Sequence, residues 1–447
     1  MFSRRSFLKG SILGGAALLG SYIPNMRMLA LQEKIELQFW HQWGGPPNST
    51  ALEQIAANFN KLYPNVTVTL TNISDQSQIA TAISAGTPPD VVHFVLSDAV
   101  PEYAHRGALQ DLTPLLEKDI PNWKDQLYWY GPEVGSYNNK VFALASANFN
   151  IGLLWNRDIF TEIGIDPEKG PQTLEDLTDW ADKMTVVDKA GNITRLGFIP
   201  DYPGPGNGQV ANLVLYGWAF GGEWYNADTK KITANDPKNI EALKWELAFY
   251  EKYGAQKVKN FISSAGGYLT DQDVFRTGKV GMVYDGEWNI VFPTADLPFN
   301  QKTINAGGFP APKANPDMFG VSYADSDPNA IPAGSPHPAE AWEFLKFMCF
   351  DPQVCSDFAQ VVANPCQLVT HPDYALQSDA RFEWFVKQQE LKSQRVFPRI
   401  AVAHTYMVKI GEAEQAVLLG QSTPEDALNQ VTEEVQALLD AAGPPAI

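Results

Sequence analysis

From residue 34 onward, short apolar runs alternate with stretches in which apolar residues recur every three or four positions, the pattern of strands interleaved with helices. Residues 35–40 form an apolar, strand-compatible run. Thr50 and Glu53 then have the spacing of a capping box, and Leu52, Ile55, Phe59 and Leu62 recur on one helical face. Residues 65–70 predict a second strand, 76–85 a helix, and 90–95 a third strand after the turn-forming Gly86-Thr87-Pro88-Pro89. Strands and helices in this order imply a mainly parallel sheet covered on both faces, with ligands outside the carboxyl ends of its strands. A second set follows, with strands at 152–155 and 280–284 and helices at 174–184, 240–253 and 271–277. Residues 293–338 are rich in Pro, Gly, Asn and Asp and predict loops and crossings before two more helices, 338–350 and 424–441. No internal repeat of fixed period appears.

A chain of 447 residues with 45% hydrophobic and 19% charged residues buries one or more large cores, which excludes a disordered tail or a collagen-like repeat. Lys and Arg number 33 against 51 Asp and Glu, a formal charge of -18, which argues against a surface built for nucleic acid or anionic lipid. The amino terminus is the exception. Residues 3–9 read S-R-R-S-F-L-K, with paired Arg4 and Arg5 ahead of Phe7, Leu8 and Lys9. The apolar stretch after them, 12–19, is broken by Gly14 and Gly15 and is too short to span a bilayer. This is a twin-arginine export signal, read by a translocase, over residues 1–30, with the mature start near Leu31 after a weak M-L-A site. No cysteine lies there, which excludes a lipid-modified cysteine as tether. An exported protein, periplasmic or extracytoplasmic, is expected, either soluble or held by an uncleaved signal.

Cys349, Cys355 and Cys366 are an odd number with no zinc-ligand spacing, so at most one disulfide forms among them, and buried free thiols are the equal alternative. The six His are scattered, no H-E-x-x-H occurs, and the G-P-G-N-G run at 204–208 lacks the Lys-Ser/Thr of a phosphate loop. No metal or other cofactor is expected.

Seven segments in order carry a resemblance: F-W-H-Q-W (39–43), Y-P-N-V-T-V (63–68), A-G-T-P-P-D-V-V (85–92), G-L-L-W-N-R-D-I-F-T-E-I-G-I (152–165), F-R-T-G-K-V-G-M-V-Y-D-G-E-W (275–288), P-A-E-A-W-E-F-L-K-F-M (338–348) and T-P-E-D-A-L (423–428). Together they resemble the family 1 extracellular solute-binding proteins of ABC importers, the sugar-binding group that includes maltose-binding proteins. The resemblance implies a two-lobed α/β fold of the type II periplasmic-binding-protein class, with mixed sheets covered by helices and hinge crossings between discontinuous lobes. It places one lobe at 31–145 plus 320–387 and the other at 146–319 plus 388–447. It also implies capture of a carbohydrate, a di- or oligosaccharide, in an interlobe cleft by a monomer, and delivery to an ABC permease without chemical change.

A sugar offers apolar C–H faces and a rim of hydroxyls, so its site needs flat aromatic rings and short polar side chains. His41, Gln42 and Trp43 follow the first strand and precede Gly44-Gly45-Pro46-Pro47, whose glycines permit close backbone approach, whereas Trp40 reads as core. Trp288 matches the place where the family sets a ring against sugar, and Asp285 beside Gly286 is either a hydroxyl acceptor or an ordinary turn residue. Asn148 and Asn150 share a strand face and either bind hydroxyls or satisfy loop backbone. Ser97 and Asp98 match a polar ligand loop, with Asp98 equally placed as a helix N-cap. Further candidates are Asp201, Tyr202, Tyr323, Asp325 and His404, the last where relatives often carry an aromatic ring. Among these loops Arg399 is the one cation, so a neutral polyhydroxylated ligand is favoured over glycerol phosphate, polyamine or peptide.

The enzyme alternative is a secreted hydrolase. Gly320-Val321-Ser322-Tyr323-Ala324 resembles a nucleophile elbow with Asp and His downstream, but its fifth position is Ala324 where the motif has Gly. For a glycosidase the acidic surplus offers too many carboxylates to single out a pair.

Overall fold

The computed structural model describes residues 34–45, 47–203, 210–264, 266–291, 303–391 and 393–446. The export signal and the 204–208 run therefore lie outside the described residues. Three parallel strands open the chain, β1 (Ile35–His41), β2 (Val66–Asn72) and β3 (Val91–His93), with β1 central. Two short strands, β4 (Ser136–Tyr137) and β5 (Lys140–Val141), make a hairpin before the long β6 (Ala143–Asn156). Then come β7 (Val186–Val187), β8 (Ile193–Phe198), the β9 (Tyr225–Asn226) and β10 (Lys231–Ile232) hairpin, β11 (Val280–Gly286), β12 (Ile304–Gly307) and β13 (Ala324–Ala330). Nine strands join in the order β2-β1-β3-β13-β6-β11-β8-β7, with β12 also on β6.

β6 belongs to both halves of this sheet. Its first part, through Asn150, pairs antiparallel with β13, and from Ile151 onward it pairs antiparallel with β11. One core packs on the β1 side, where Leu37 and Phe39 meet Leu52, Ile55 and Phe59 of the helix Asn48–Leu62 and Phe344 and Leu345 of the helix Pro338–Phe350. The other packs Leu153 and Trp155 of β6 against Tyr216 and Trp218 of the helix Asn212–Phe220 and Tyr406 and Ile410 of the helix Ala403–Leu418. Two lobes result, with helices on both faces of each half-sheet.

Several helix starts follow their local chemistry. Thr173 Oγ1 accepts from Asp176 N at 3.1 Å to open Leu174–Met184, and Thr423 does the same for Pro424–Ala442, whose first turn holds Pro424 and two acids. The first helix does not start as expected. It begins at Asn48, ahead of Thr50 and Glu53, with no side-chain cap, and Leu62 is 39% exposed, so that the buried face is Leu52, Ile55 and Phe59. Residues 271–277 form turns rather than a helix, because Asp273 accepts from Phe275 N and Arg276 N and holds the chain in a tight loop.

The largest departure is β13. Its sequence A-D-S-D-P-N-A has the composition of a turn, yet every residue is buried at the centre of the sheet. A register shift between Ser326 and Pro328 accommodates the proline, which lacks an N–H for the ladder. Ser322, just ahead of β13, is 1% exposed; its Oγ accepts from Ile151 N at 2.9 Å and donates to Ile151 O. It clasps the residue at which β6 changes partner, and the elbow reading fails because the hydroxyl faces backbone. Replacing Ser322 by Ala strands a buried N–H, and we expect a loss of about 1–3 kcal/mol of stability in urea unfolding; an unchanged midpoint would show that the clasp carries no energy.

Candidate ligand cleft

Between the lobes lies a cleft of about 830 Å³. One wall is Gln42, at the carboxyl end of β1, with Ser74, Asp75 and Gln76 after β2. The other is Asp201, Tyr202 and Asn212 with one face of the helix Ala403–Leu418, where His404, Val408, Gly411 and Gln415 recur at three- and four-residue spacing. Among the described residues no Lys or Arg lines it.

The lining acids are already engaged. Asp75 accepts from the Ser77 hydroxyl at 2.7 Å and the Ser77 N–H at 2.8 Å, bonds that lower its pKa. Asp201 accepts from Lys259 Nζ at 2.6 Å, from Gln415 at 3.2 Å and from the Tyr250 hydroxyl. Glu412 pairs with Lys409 at 3.1 Å. Glu414 is buried beside Glu246 of the helix Pro237–Tyr253, itself fully buried; the Lys259 charge is felt at Glu414, but among the described residues neither carboxyl forms an ion pair. Burial pushes Glu414 up to about 7, and burial and the neighbouring Glu414 push Glu246 up, so the two share a proton near neutral pH.

The candidates read from sequence separate into four groups. Gln42, Asp201, Tyr202 and His404 line the cleft. Ser97, Asp98, Arg399 and His404 clasp the lobes together. Asp98 occupies an N-cap position without capping, because its carboxylate meets His404 Nδ1 at 3.1 Å, and this bond raises the imidazole's pKa. Arg399 donates to Ser97 O and Oγ at 2.7 and 2.9 Å, to Val134 O at 2.6 Å and to Ser136 O at 3.2 Å, which occupies the guanidinium with protein acceptors.

The third group sits where the strands cross. Asp325 accepts from Tyr323 at 2.7 Å and Ser97 N at 3.2 Å, while Asp285 accepts from Tyr268, Asn289 and Gly286 N; burial pushes these carboxyls up to about 6 and about 7. The Trp288 ring, 9% exposed, lies over Gly286, where an added Cβ would stand 2.2 Å from it, and meets Phe149 edge-on at 5.7 Å. Asn148 and Asn150 do not face this ring. Strand alternation turns them to the opposite side, where their amides donate to Gln389 Oε1 at 2.8 Å and Phe385 O at 3.4 Å, and the residue on the Trp288 side is Phe149.

The fourth group is core. Trp43 stacks on Phe358 with ring centroids 5.2 Å apart instead of reaching the cleft, and His41 is 4% exposed, its pKa lowered by burial. The sequence argument missed the wall formed by Gln76, Asn212 and Gln415. The helical spacing of Val408, Gly411 and Gln415 was its one available signal.

A type II solute-binding architecture is thus in place, with two α/β lobes, strand crossings and a cleft between them. Residues 44–353 match the model of the bacterial extracellular solute-binding protein family, and the chain belongs to that family. It is 24% identical to an uncharacterised ABC transporter extracellular-binding protein of Pyrococcus horikoshii over 96% of this chain and 93% of that one. Among solved structures it is similar to CpMnBP1 with mannotriose bound, at 29% identity and a TM-score of 0.77 over 90% of this chain and 99% of that one. The maltose-bound MalE3 of T. maritima, at 20% identity and a TM-score of 0.73 over 91% and 100%, shares the fold.

The shared proton sets a pH dependence. The folded value of about 7 lies above the ordinary 4.5, so the folded chain holds a proton that the unfolded chain has released between them. The contribution is full below 4.5 and is lost as pH rises toward about 7. Melting temperature should therefore fall across that window, and Glu414→Gln, always neutral, should flatten the fall; parallel curves for the two proteins would contradict this assignment.

Proposed function

We propose that the protein captures a neutral di- or oligosaccharide between its lobes and delivers it to an ABC importer permease, with no chemical step. The similarity to CpMnBP1, a structure holding mannotriose or mannobiose, over 90% of the chain carries this reading. The cleft chemistry supports it: amides and hydroxyls of Gln42, Ser74, Gln76, Asn212 and Gln415 suit sugar hydroxyls, and among the described residues the lining lacks the Lys or Arg that a phosphate would require. The four lining acids would favour a polyamine only if they were free, and each is held by a protein donor, a lysine or a shared proton.

The lobes of this reading exchange near Asn150 and Ile151 of β6, and the Trp288 ring becomes a stacking surface as they part. Twin-arginine export delivers the chain outside the cytoplasm as a monomer. Calorimetric titration with mannobiose, mannotriose, maltotriose, glycerol phosphate and spermidine, with the sugar recovered afterwards, tests the function. Saturable binding of one saccharide recovered intact is expected; binding of spermidine or glycerol phosphate alone, or cleavage of the saccharide, would overturn it. For the bound sugar, Trp288→Ala should weaken affinity at least about tenfold in a folded protein, and Gln42→Ala about three- to tenfold.

A further inference from the structure

Away from the cleft, three buried thiols share one corner of the lobe built on β1: Cys349 on the helix Pro338–Phe350, Cys355 on the helix Pro352–Val362, and Cys366 in the segment after it. They are not equivalent. Cys349 sits in the main core of that lobe, its thiol directed at Leu144 O at 3.8 Å. Cys355 and Cys366 belong instead to a separate small cluster with Ala359, Leu368, Tyr374 and Phe382.

One side chain touches both of these sulfurs. Gln367 Nε2 donates to Cys355 Sγ at 3.0 Å, and Gln367 Oε1 accepts from Cys366 Sγ at 3.8 Å. The backbone brings them together: Ala363 takes a left-handed φ of 59° at the end of the helix and turns the chain back under it, where Asn364 N donates to Ala359 O at 3.3 Å. The Gln367 amide fixes the turn further by donating to Cys349 O at 3.0 Å.

This turn braces the strand crossing. Asn148 N of β6 donates to Pro365 O at 3.0 Å, and Asn364 Nδ2 donates to Asp327 Oδ2 of β13 at 3.3 Å. Whatever ties Cys366 to the helix Pro352–Val362 also fixes the support of both crossing strands.

We propose that Cys355 and Cys366 are a disulfide pair that closes in an oxidising compartment and staples this brace to its helix, with Cys349 left as a thiol. The proposal rests on the extracellular setting of the family and is independent of the ligand's identity. A small-molecule disulfide serves as oxidant. One cysteine thiolate attacks its S–S bond, forming a mixed disulfide and releasing one small thiol; the second cysteine attacks the protein sulfur of that intermediate and releases the other. The protein loses two electrons and two thiol protons, and the oxidant becomes two thiols.

The test uses the full chain, unfolded in urea with reductant and refolded with or without a mixture of oxidised and reduced glutathione, then alkylated with iodoacetamide and mapped by peptide mass. After oxidative refolding the expected map has one Cys355–Cys366 cross-linked peptide and alkylation at Cys349 alone, with a melting temperature at least about 2 °C above the reduced sample. Cys349→Ser should keep both the cross-link and the rise. Three alkylated cysteines, a persistent glutathione adduct, or a cross-link that includes Cys349 would each overturn the proposal, and the wild-type map decides even where a variant fails to fold.

Discussion

The exchange of partners along β6 is the constraint on which the rest of the structure depends. A single strand pairs with β13 up to Asn150 and with β11 from Ile151, so one continuous backbone ladder carries both lobes. Every hydrogen-bonding group of that backbone must be satisfied inside the protein, because all of β6 is buried. The neighbouring polar residues answer this need: Ser322 clasps Ile151, Pro365 O takes the N–H of Asn148, and Asn329 donates to Leu144 O. The crossing is therefore polar for structural reasons before any ligand is considered.

That polarity also explains which parts of the molecule were legible in the sequence. The opening strands and helices, the helices 174–184 and 338–350, and β11 follow apolar periodicity, because each buries a hydrophobic face. β13 does not. Asp325, Asp327 and Asn329 are each 4% exposed or less, and their burial is offset by bonds to Ser97, Tyr323, Asn364 and Ser146, partners distant in sequence apart from Tyr323. A local reading sees only turn-forming residues there. The same blindness affects the site. Trp43 and Gln42 are adjacent, yet strand geometry sends one ring into the core against Phe358 and leaves the other side chain on the cleft wall.

The cleft combines neutral hydrogen-bonding groups with acids whose charges are already matched. Lys259 on Asp201 and the proton shared by Glu246 and Glu414 keep the wall from presenting a bare carboxylate. Across the opening, Asp98 with His404 and Ser97 with Arg399 join residues of the two lobes directly. An opening of the lobes that parts these contacts gives up their hydrogen bonds, so affinity measures the difference between the open and closed arrangements rather than the sum of the ligand's own contacts.

If the lobes move as bodies about the crossing at Asn150 and Ile151, ligand binding must change the protein's overall dimensions while leaving each lobe intact. Small-angle X-ray scattering of the refolded, ligand-free protein with and without saturating mannotriose, or whichever saccharide titrates it, measures this directly. The radius of gyration should fall on binding. Superimposable curves with the saccharide demonstrably bound would contradict hinge closure and the role assigned to the shared strand.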